Sequence, residues 1–267
     1  MKSTLLNHGY QLLNTLSVGG TSMIYRARKI DENIDVAIKI YNTRFEEDLN
    51  LQSRLNFSND SKFLALNIEV FRYVDYQRKP RLSVVMELAQ GDLFDFSTTL
   101  EAAKYKEKQW RHVFQSLATA VSILHKARII HRDIKPRNVL LFREGNDLRA
   151  KLCDFGLAID ENAPKLPKGT PTFMAPEIFN LDYSFPVDMF SLGLTFWSSL
   201  IADPTLSIVR RTLRVLYIGA DNVNSLPTLV QSSLDHRGNG WAVSIIDRLL
   251  DFNETRRIKA SGILSII

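Results

Sequence analysis

Between residues 10 and 88, apolar and polar positions alternate mostly with the period of two that marks strands. Tyr10–Val18 and residues 23–28 flank the pair Gly19 and Gly20, which predicts a hairpin. In Ile34–Tyr41 (IDVAIKIY), Val36, Ile38 and Ile40 fall on one face, and Ala37 and Lys39 on the other. Residues 45–55 change period. There Phe45, Leu49, Leu51 and Leu55 follow a helical spacing, with acidic residues at the start where the helix dipole favours them. Residues 68–76 and 81–88 are two further strand candidates around a polar QRKP turn. The pattern predicts a small, mostly antiparallel sheet accompanied by one helix.

After Gly91 the pattern becomes helical. Residues 107–125 carry Trp110, Val113, Phe114, Leu117, Val121 and Leu124 on one face of a long helix. Short apolar runs follow at 139–142 and 151–153, and further helices are expected at 189–201 and 241–250. The longest charge-free apolar stretch lies between Asp188 and Asp203. Its fourteen residues are too few to span a bilayer and predict a buried helix instead.

Composition adds exclusions. With 267 residues, 45% hydrophobic and 24% charged, the chain is neither disordered nor fibrous. The 34 basic residues outnumber the 29 acidic ones and bring the net charge to +5, but they are scattered, with no run of five. Neither a nucleic-acid partner nor a membrane span is expected. The N-terminus lacks the continuous apolar stretch of a signal peptide. Cys153 is the single cysteine, so no intramolecular disulfide forms, and a reducing, cytoplasmic setting is expected. A nuclear address or an effector role fits the same sequence.

The chemistry concentrates in His131-Arg132-Asp133-Ile134-Lys135-Pro136-Arg137-Asn138. This loop sets a carboxylate, an ammonium and a carboxamide two and three residues apart, and Pro136 keeps a helix from running through it. Such a trio can accept a hydroxyl proton, steady a transferring phosphate and hold a metal. Asp154-Phe155-Gly156 begins sixteen residues after Asn138, room for a hairpin that returns Asp154 beside Asn138. Together those two would make a hard oxygen site suited to Mg²⁺. Upstream, Ala37 leaves space for an adenine ring on the strand face from which Lys39 reaches phosphates. Further upstream, LSVGGTSMIYRA is a glycine-containing turn whose amides can approach phosphate oxygens.

In order and context, VAIK, HRDIKPRN, DFG and the APE of GTPTFMAPE resemble the eukaryotic-type protein kinase family over residues 10–264. The resemblance implies an α+β, bilobal fold: a small antiparallel-sheet N-lobe with one helix (residues 1–87), a hinge (88–91) and a mainly helical C-lobe (92–267). It implies ATP and Mg²⁺ as cofactors and a protein Ser/Thr substrate. Asp133 is then the base that orients the substrate hydroxyl, Lys135 neutralises the migrating phosphoryl group, and Thr170 bridges the two. Asn138 and Asp154 hold the metal, and Lys39 grips the α- and β-phosphates. Leu16, Gly19, Gly20, Ile24 and Ala37 surround the nucleotide, with Met86 as gatekeeper. The backbones of Glu87 and Ala89 meet the adenine edge, and Asp92 meets the ribose. Lys135 and the pair Gly169-Thr170 resemble the Ser/Thr class. Asp188 with Ser191-Leu192-Gly193 resembles the start of the central C-lobe helix, and Arg257 the structural partner of Glu177.

Several positions depart from the family pattern. Ser17 and Ser22 stand where glycines are usual. The helix that supplies a carboxylate for Lys39 begins early, leaving Asp48, with Glu47 adjacent, as the candidate. These departures carry the alternative of a pseudokinase acting as a nucleotide-binding or partner-binding scaffold. Residues 157–169 contain no Ser, Thr or Tyr, so Arg132 lacks a phosphorylated partner there. Activity independent of loop phosphorylation is therefore expected, with Asp160 or Glu161 as counter-charge. Because the resemblance leaves almost nothing outside the catalytic domain, any activator is expected to be a separate protein. Cys153 precedes Asp154 directly and is expected to be a small apolar core residue.

Overall fold

The protein's structure is a computed structural model that describes residues 2–19, 22–41, 51, 54–55, 61–74, 78, 80–145, 147–203, 207 and 225–267. It divides into two compact units, residues 1–61 with 65–89, and residues 62–64 with 90–267.

The first unit is an antiparallel sheet of five strands in the order β1-β2-β3-β5-β4. The strands are β1 (Tyr10–Val18), β2 (Ser22–Lys29), β3 (Ile34–Tyr41), β4 (Glu69–Val74) and β5 (Pro80–Glu87). The alternation in IDVAIKIY decides which face each side chain takes. Val36, Ile38 and Ile40 join Tyr10, Ala27, Phe71, Tyr73 and Val85 in one buried cluster. On the other face, Tyr41 packs with Leu82, Val84 and Met86. A helix that the sequence pattern did not predict, α1 (Lys2–Asn7), adds Leu5 to the first cluster. Six residues are too few for a periodic signal. His8 then stacks on Phe71 with ring centroids 4.3 Å apart. The Tyr10 hydroxyl donates to Glu69 Oε2 at 2.6 Å, and burial together with that carboxylate raises the Tyr10 pKa. The helix expected at 45–55 lies outside the described residues except for Leu51, Arg54 and Leu55, of which Leu55 is buried.

The second unit is mainly helical. Its central pair is α4 (Glu107–Lys126) and α5 (Pro186–Leu200), preceded by the short helices α2 (Leu93–Ser97) and α3 (Leu100–Lys104). All six apolar residues predicted on one face of α4 are buried, and Ala118, Ala120 and Ile123 widen that face. The Gln109 side chain accepts the Lys106 amide at 3.1 Å and closes the first turn of α4. Helix α5 opens with Pro186 and is buried from Val187 to Leu200, Asp188 included, and its charge-free part after Asp188 is the buried helix expected there. A Cβ at Gly193 would come within 2.7 Å of Leu249 Cβ, so only glycine lets α5 approach the chain at Leu249 and Leu250 this closely. Helices α6 (Ser225–His236), α7 (Val243–Leu249) and α8 (Ala260–Ile263) complete the unit. The alternation did not reveal α6, whose Pro227 and run of polar residues mask its apolar face.

Five short strands supply the loops that carry chemistry. They are β6 (Gly91–Asp92), β7 (Ile129–Ile130), β8 (Val139–Glu144), β9 (Asp147–Leu152) and β10 (Ile159–Asp160). β8 and β9 form a hairpin in register from Val139↔Leu152 to Glu144↔Asp147. β10 pairs antiparallel with β7 through Ile159↔Ile130 and Asp160↔Ile129. Among the described residues, no helix is long and apolar enough to cross a membrane.

Candidate active site

In the sheet unit, backbone register lines up the expected nucleotide residues. Lys39 is paired with Ile24 on one side and Val84 on the other, and Ala37 is paired with Met86. Paired residues of an antiparallel sheet share a face, so Ile24, Ala37, Lys39 and Met86 share the one that carries Tyr41 and Val84. Lys39 Nζ lies 4.8 Å from the Tyr41 ring centroid. Leu16 is half-exposed on β1, and the Gly19 amide donates to Ser22 O at 2.9 Å across the hairpin mouth. A Cβ on Gly19 would sit 3.3 Å from that same oxygen. Glu87 ends β5 opposite Val36. The Ala89 backbone makes no backbone hydrogen bond among the described residues, leaving its polar groups open to a ligand edge. Gly20, Glu47 and Asp48 lie outside the described residues.

In the second unit the catalytic-loop candidate is anchored from below. Asp188, fully buried, accepts the amides of His131 and Arg132 at 2.9 Å each, and His125 Nε2 at 3.0 Å. Burial alone would raise its pKa. The hydrogen bonds from His125 and the His131 amide outweigh burial and hold the carboxyl below its ordinary value. The loop turns through Arg132 at φ 65°, a left-handed conformation costly for a residue with a Cβ. Gly169 fits against it: a Cβ there would lie 2.5 Å from Arg132 O. His131 Nδ1 accepts the Asp133 amide at 3.3 Å, so its Nε2–H is the donor to Cys153 O at 3.1 Å. Phe155, buried, meets the His131 ring edge-on at 5.4 Å.

Asp133 is the hub of this site. Its Oδ1 accepts Thr170 N at 2.9 Å and Thr170 Oγ1 at 2.6 Å. Its Oδ2 accepts Lys135 Nζ at 2.7 Å and Asn138 Nδ2 at 2.9 Å. Lys135 Nζ also donates to Thr170 Oγ1 at 2.7 Å, which closes a ring of three side chains. Four donors on one buried carboxylate fix its orientation.

The β8–β9 hairpin brings the second group together. The Cys153 amide donates to Asn138 O at 2.9 Å, setting Asp154 next in the chain beside Asn138. Asp154 has φ 63°, a conformation Asp tolerates better than most residues. Asn138 spends its Nδ2 on Asp133 O at 2.8 Å and Asp133 Oδ2 at 2.9 Å. Its Oδ1 makes no hydrogen bond among the described residues. A free amide oxygen beside a carboxylate is a donor set that fits a hard cation such as Mg²⁺.

Other expectations are corrected by the structure. Neither Asp160 nor Glu161 pairs with Arg132; Glu161 forms an ion pair with Arg128 and accepts Ser184 Oγ at 2.9 Å. The Arg132 guanidinium is buried among neutral acceptors instead, Leu157 O at 2.6 Å, Tyr183 Oη at 3.1 Å and Leu166 O at 3.5 Å. Cys153 is half-buried rather than a core residue. Asp92 caps α2 by accepting the Asp95 amide at 2.9 Å, and its other oxygen accepts Arg137 at 2.9 Å. Arg137 also bonds Asp95 at 2.6 Å and lies 3.7 Å from the Phe94 ring centroid, a cluster the sequence reading missed. Tyr183 and His125 were missed too, because their partners lie 17 to 63 residues away. Glu177 and Arg257 form a buried, doubly hydrogen-bonded ion pair, and Arg257 Nη1 also donates to Pro186 O at 2.8 Å.

A family model described as protein kinase domain matches residues 10–266. The chain is 29% identical over 262 residues to the carbon catabolite-derepressing protein kinase of Candida glabrata, covering 96% of this chain and 40% of that protein. It is 33% identical over 201 residues to the serine/threonine-protein kinase fused of Drosophila melanogaster, covering 73% of this chain and 24% of that one. It is 25% identical over 284 residues to the calcium/calmodulin-dependent protein kinase type II of Caenorhabditis elegans, covering 99% and 36% respectively. The chain thus spans two fifths or less of the length of these relatives.

Proposed function

We propose that this chain, which belongs to the protein kinase domain family, transfers the γ-phosphate of Mg-ATP to Ser or Thr hydroxyls of protein substrates. The observation that carries this reading is the Asp133 carboxylate, oriented by Lys135, Asn138 and Thr170 together. Asp133 is an acceptor that can orient a substrate hydroxyl and take up its proton. Lys135, held at 2.7 Å from Asp133, carries the positive charge that offsets charge on a phosphoryl group in transfer. Thr170 fixes that pair and ties the start of GTPTFMAPE to it.

Asn138 Oδ1 and Asp154 are the residues that would hold Mg²⁺, which when bound neutralises phosphate charge. From the sheet unit, Lys39 is the cation for the α- and β-phosphates. Leu16, Gly19, Gly20, Ile24 and Ala37 would contact the nucleotide, and the Glu87 and Ala89 backbones its adenine edge. Asp92 is the ribose contact; it keeps Arg137 as a partner, so a ribose hydroxyl shares an oxygen already engaged. Catalysis of this kind rests on position and charge.

We further infer that loop phosphorylation is not required, since residues 157–169 offer no hydroxyl to modify. A separate activator protein is compatible with this reading, and the lone Cys153 suits a reducing, cytoplasmic setting. The test is phosphate transfer from labelled Mg-ATP to the protein and a mixed peptide pool, beside Asp133→Asn. Label on Ser or Thr that the variant lacks is the expected result. Equal labelling by folded wild type and variant would turn the assignment toward a scaffold that binds without turnover.

A further inference from the structure

The segment that follows Asp154 is held at its ends by backbone and in its middle by almost nothing. Ile159 and Asp160 pair with β7, and the Glu161 amide donates to Arg128 O at 2.9 Å. At the far end, the Thr170 amide and hydroxyl bond Asp133. From Asn162 to Lys168, the hydrogen bonds that leave the segment, among the described residues, all fall on one atom, Leu166 O. It accepts Tyr183 Oη at 2.7 Å and Arg132 Nη1 at 3.5 Å. Arg132 Nη1 donates in turn to Tyr183 Oη at 3.1 Å, and Arg132 Nε to Leu157 O at 2.6 Å.

No carboxylate among the described residues pairs with Arg132, although its side chain is buried. A buried guanidinium must spend its N–H groups on acceptors. Here two carbonyls of the segment and one phenol serve. The Tyr183 hydroxyl is both acceptor and donor, so it relays the cation's grip to Leu166, three residues before Gly169. Gly169 in turn rests on Arg132 O, and Thr170 on Asp133. The whole segment is thereby referred to the residue next to the base.

We propose that Tyr183 is a positioning residue: its neutral hydroxyl holds the segment on Arg132 and does the work for which a loop phosphate would otherwise be needed. The inference rests on the kinase reading above for its effect on turnover, but not for its effect on the segment. Tyr183 touches neither Asp133 nor Lys135 and acts through Arg132 and Leu166.

The decisive comparison is wild type against Tyr183→Phe, which keeps the ring and removes the hydroxyl. Amide hydrogen exchange across residues 162–168 is expected to quicken roughly tenfold, as for loss of one tertiary hydrogen bond. Peptide kcat per folded enzyme is expected to fall by a similar factor with the ATP KM unchanged, and exchange outside residues 162–168 to stay at its wild-type rate, which general destabilisation would not allow. In an Arg132→Met background, the Tyr183→Phe change should add little further loss, since both act through one network. Unchanged exchange in Tyr183→Phe overturns the proposal. So does a wild type active only after phosphorylation of Thr170 or Thr172. If wild type transfers no phosphate at all, the kinase reading fails, and the exchange data still decide whether Tyr183 holds the segment. Should Tyr183→Phe not fold, wild-type exchange suffices: an unprotected amide at Lys168, which donates to the tethered Leu166 O at 2.8 Å, would contradict the tether.

Discussion

Lys39 and Asp133 are presented by different physical means. Lys39 owes its position to the ladder: β3 is paired on both sides, so the row Ile24, Lys39, Val84 follows from backbone register whatever the neighbouring side chains are. Asp133 sits in a loop with no ladder, and its carboxylate is aimed by four donors from Lys135, Asn138 and Thr170. Beneath it, Asp188 stands in for the missing backbone partners by accepting two loop amides. A group held by register tolerates changes around it. A group held by a side-chain network depends on every member, and that contrast can be broken experimentally.

The largest effect is expected for Asp133→Asn. An amide in place of the carboxylate keeps one oxygen and turns its NH2 toward donors on the other side, either Lys135 Nζ and Asn138 Nδ2 or the Thr170 amide and hydroxyl. Phosphate transfer should fall about 10²- to 10⁴-fold. A variant within a few-fold of wild type would remove Asp133 from the role of base. Next is Glu177→Gln, which leaves the fully buried Arg257 without its counter-charge. Urea unfolding should show a loss of about 3–5 kcal/mol, the cost of breaking a buried pair. Lys39→Met probes the other side of the comparison. Nucleotide affinity is expected to drop about 10- to 100-fold, the worth of a charged hydrogen bond, while thermal melting stays nearly constant because register carries the strand. A large loss of stability there would show that the sheet unit, too, relies on a network.

A pH series sharpens the contrast further. The Asp188 pKa in the fold lies below its value of 3.8 in the unfolded chain, so the native state binds that proton less readily. Its stabilisation is fully present above the unfolded value and is lost as pH falls through the folded one. Asp188→Asn should therefore lower stability near neutrality and flatten the acid limb of the unfolding curve. The smallest effect belongs to Ser83, whose buried hydroxyl has no partner among the described residues. Ser83→Ala is expected to be neutral or to stabilise by up to about 1 kcal/mol in thermal unfolding, since it removes an unsatisfied polar atom from the sheet core.

The same contrast explains how much could be read from the chain. The limits of Tyr10–Val18 and Ile34–Tyr41, the split of Val36, Ile38 and Ile40 from Ala37 and Lys39, and the buried face of α4 follow from period alone. The return of Asp154 to Asn138 also follows, because sixteen residues fit a hairpin whose strands are short. Glu161 was misassigned because nearness in sequence to Arg132 says nothing of direction. The β10–β7 pairing carries Glu161 to Arg128, and the donors of Arg132 go to carbonyls and to Tyr183. Asp92 also has partners that no local period reveals: one oxygen caps α2 and the other accepts Arg137.

The sequence by itself determined which residues could do chemistry and on which face of a strand or helix they stand, because side-chain direction along a regular element is set by a local period. Tertiary structure alone decided how the loop residues are aimed. The acceptors of Arg132, the cap on Asp92 and the tether through Tyr183 are hydrogen bonds between residues far apart in sequence. Such bonds have no period, and they exist only once the elements that carry them have packed.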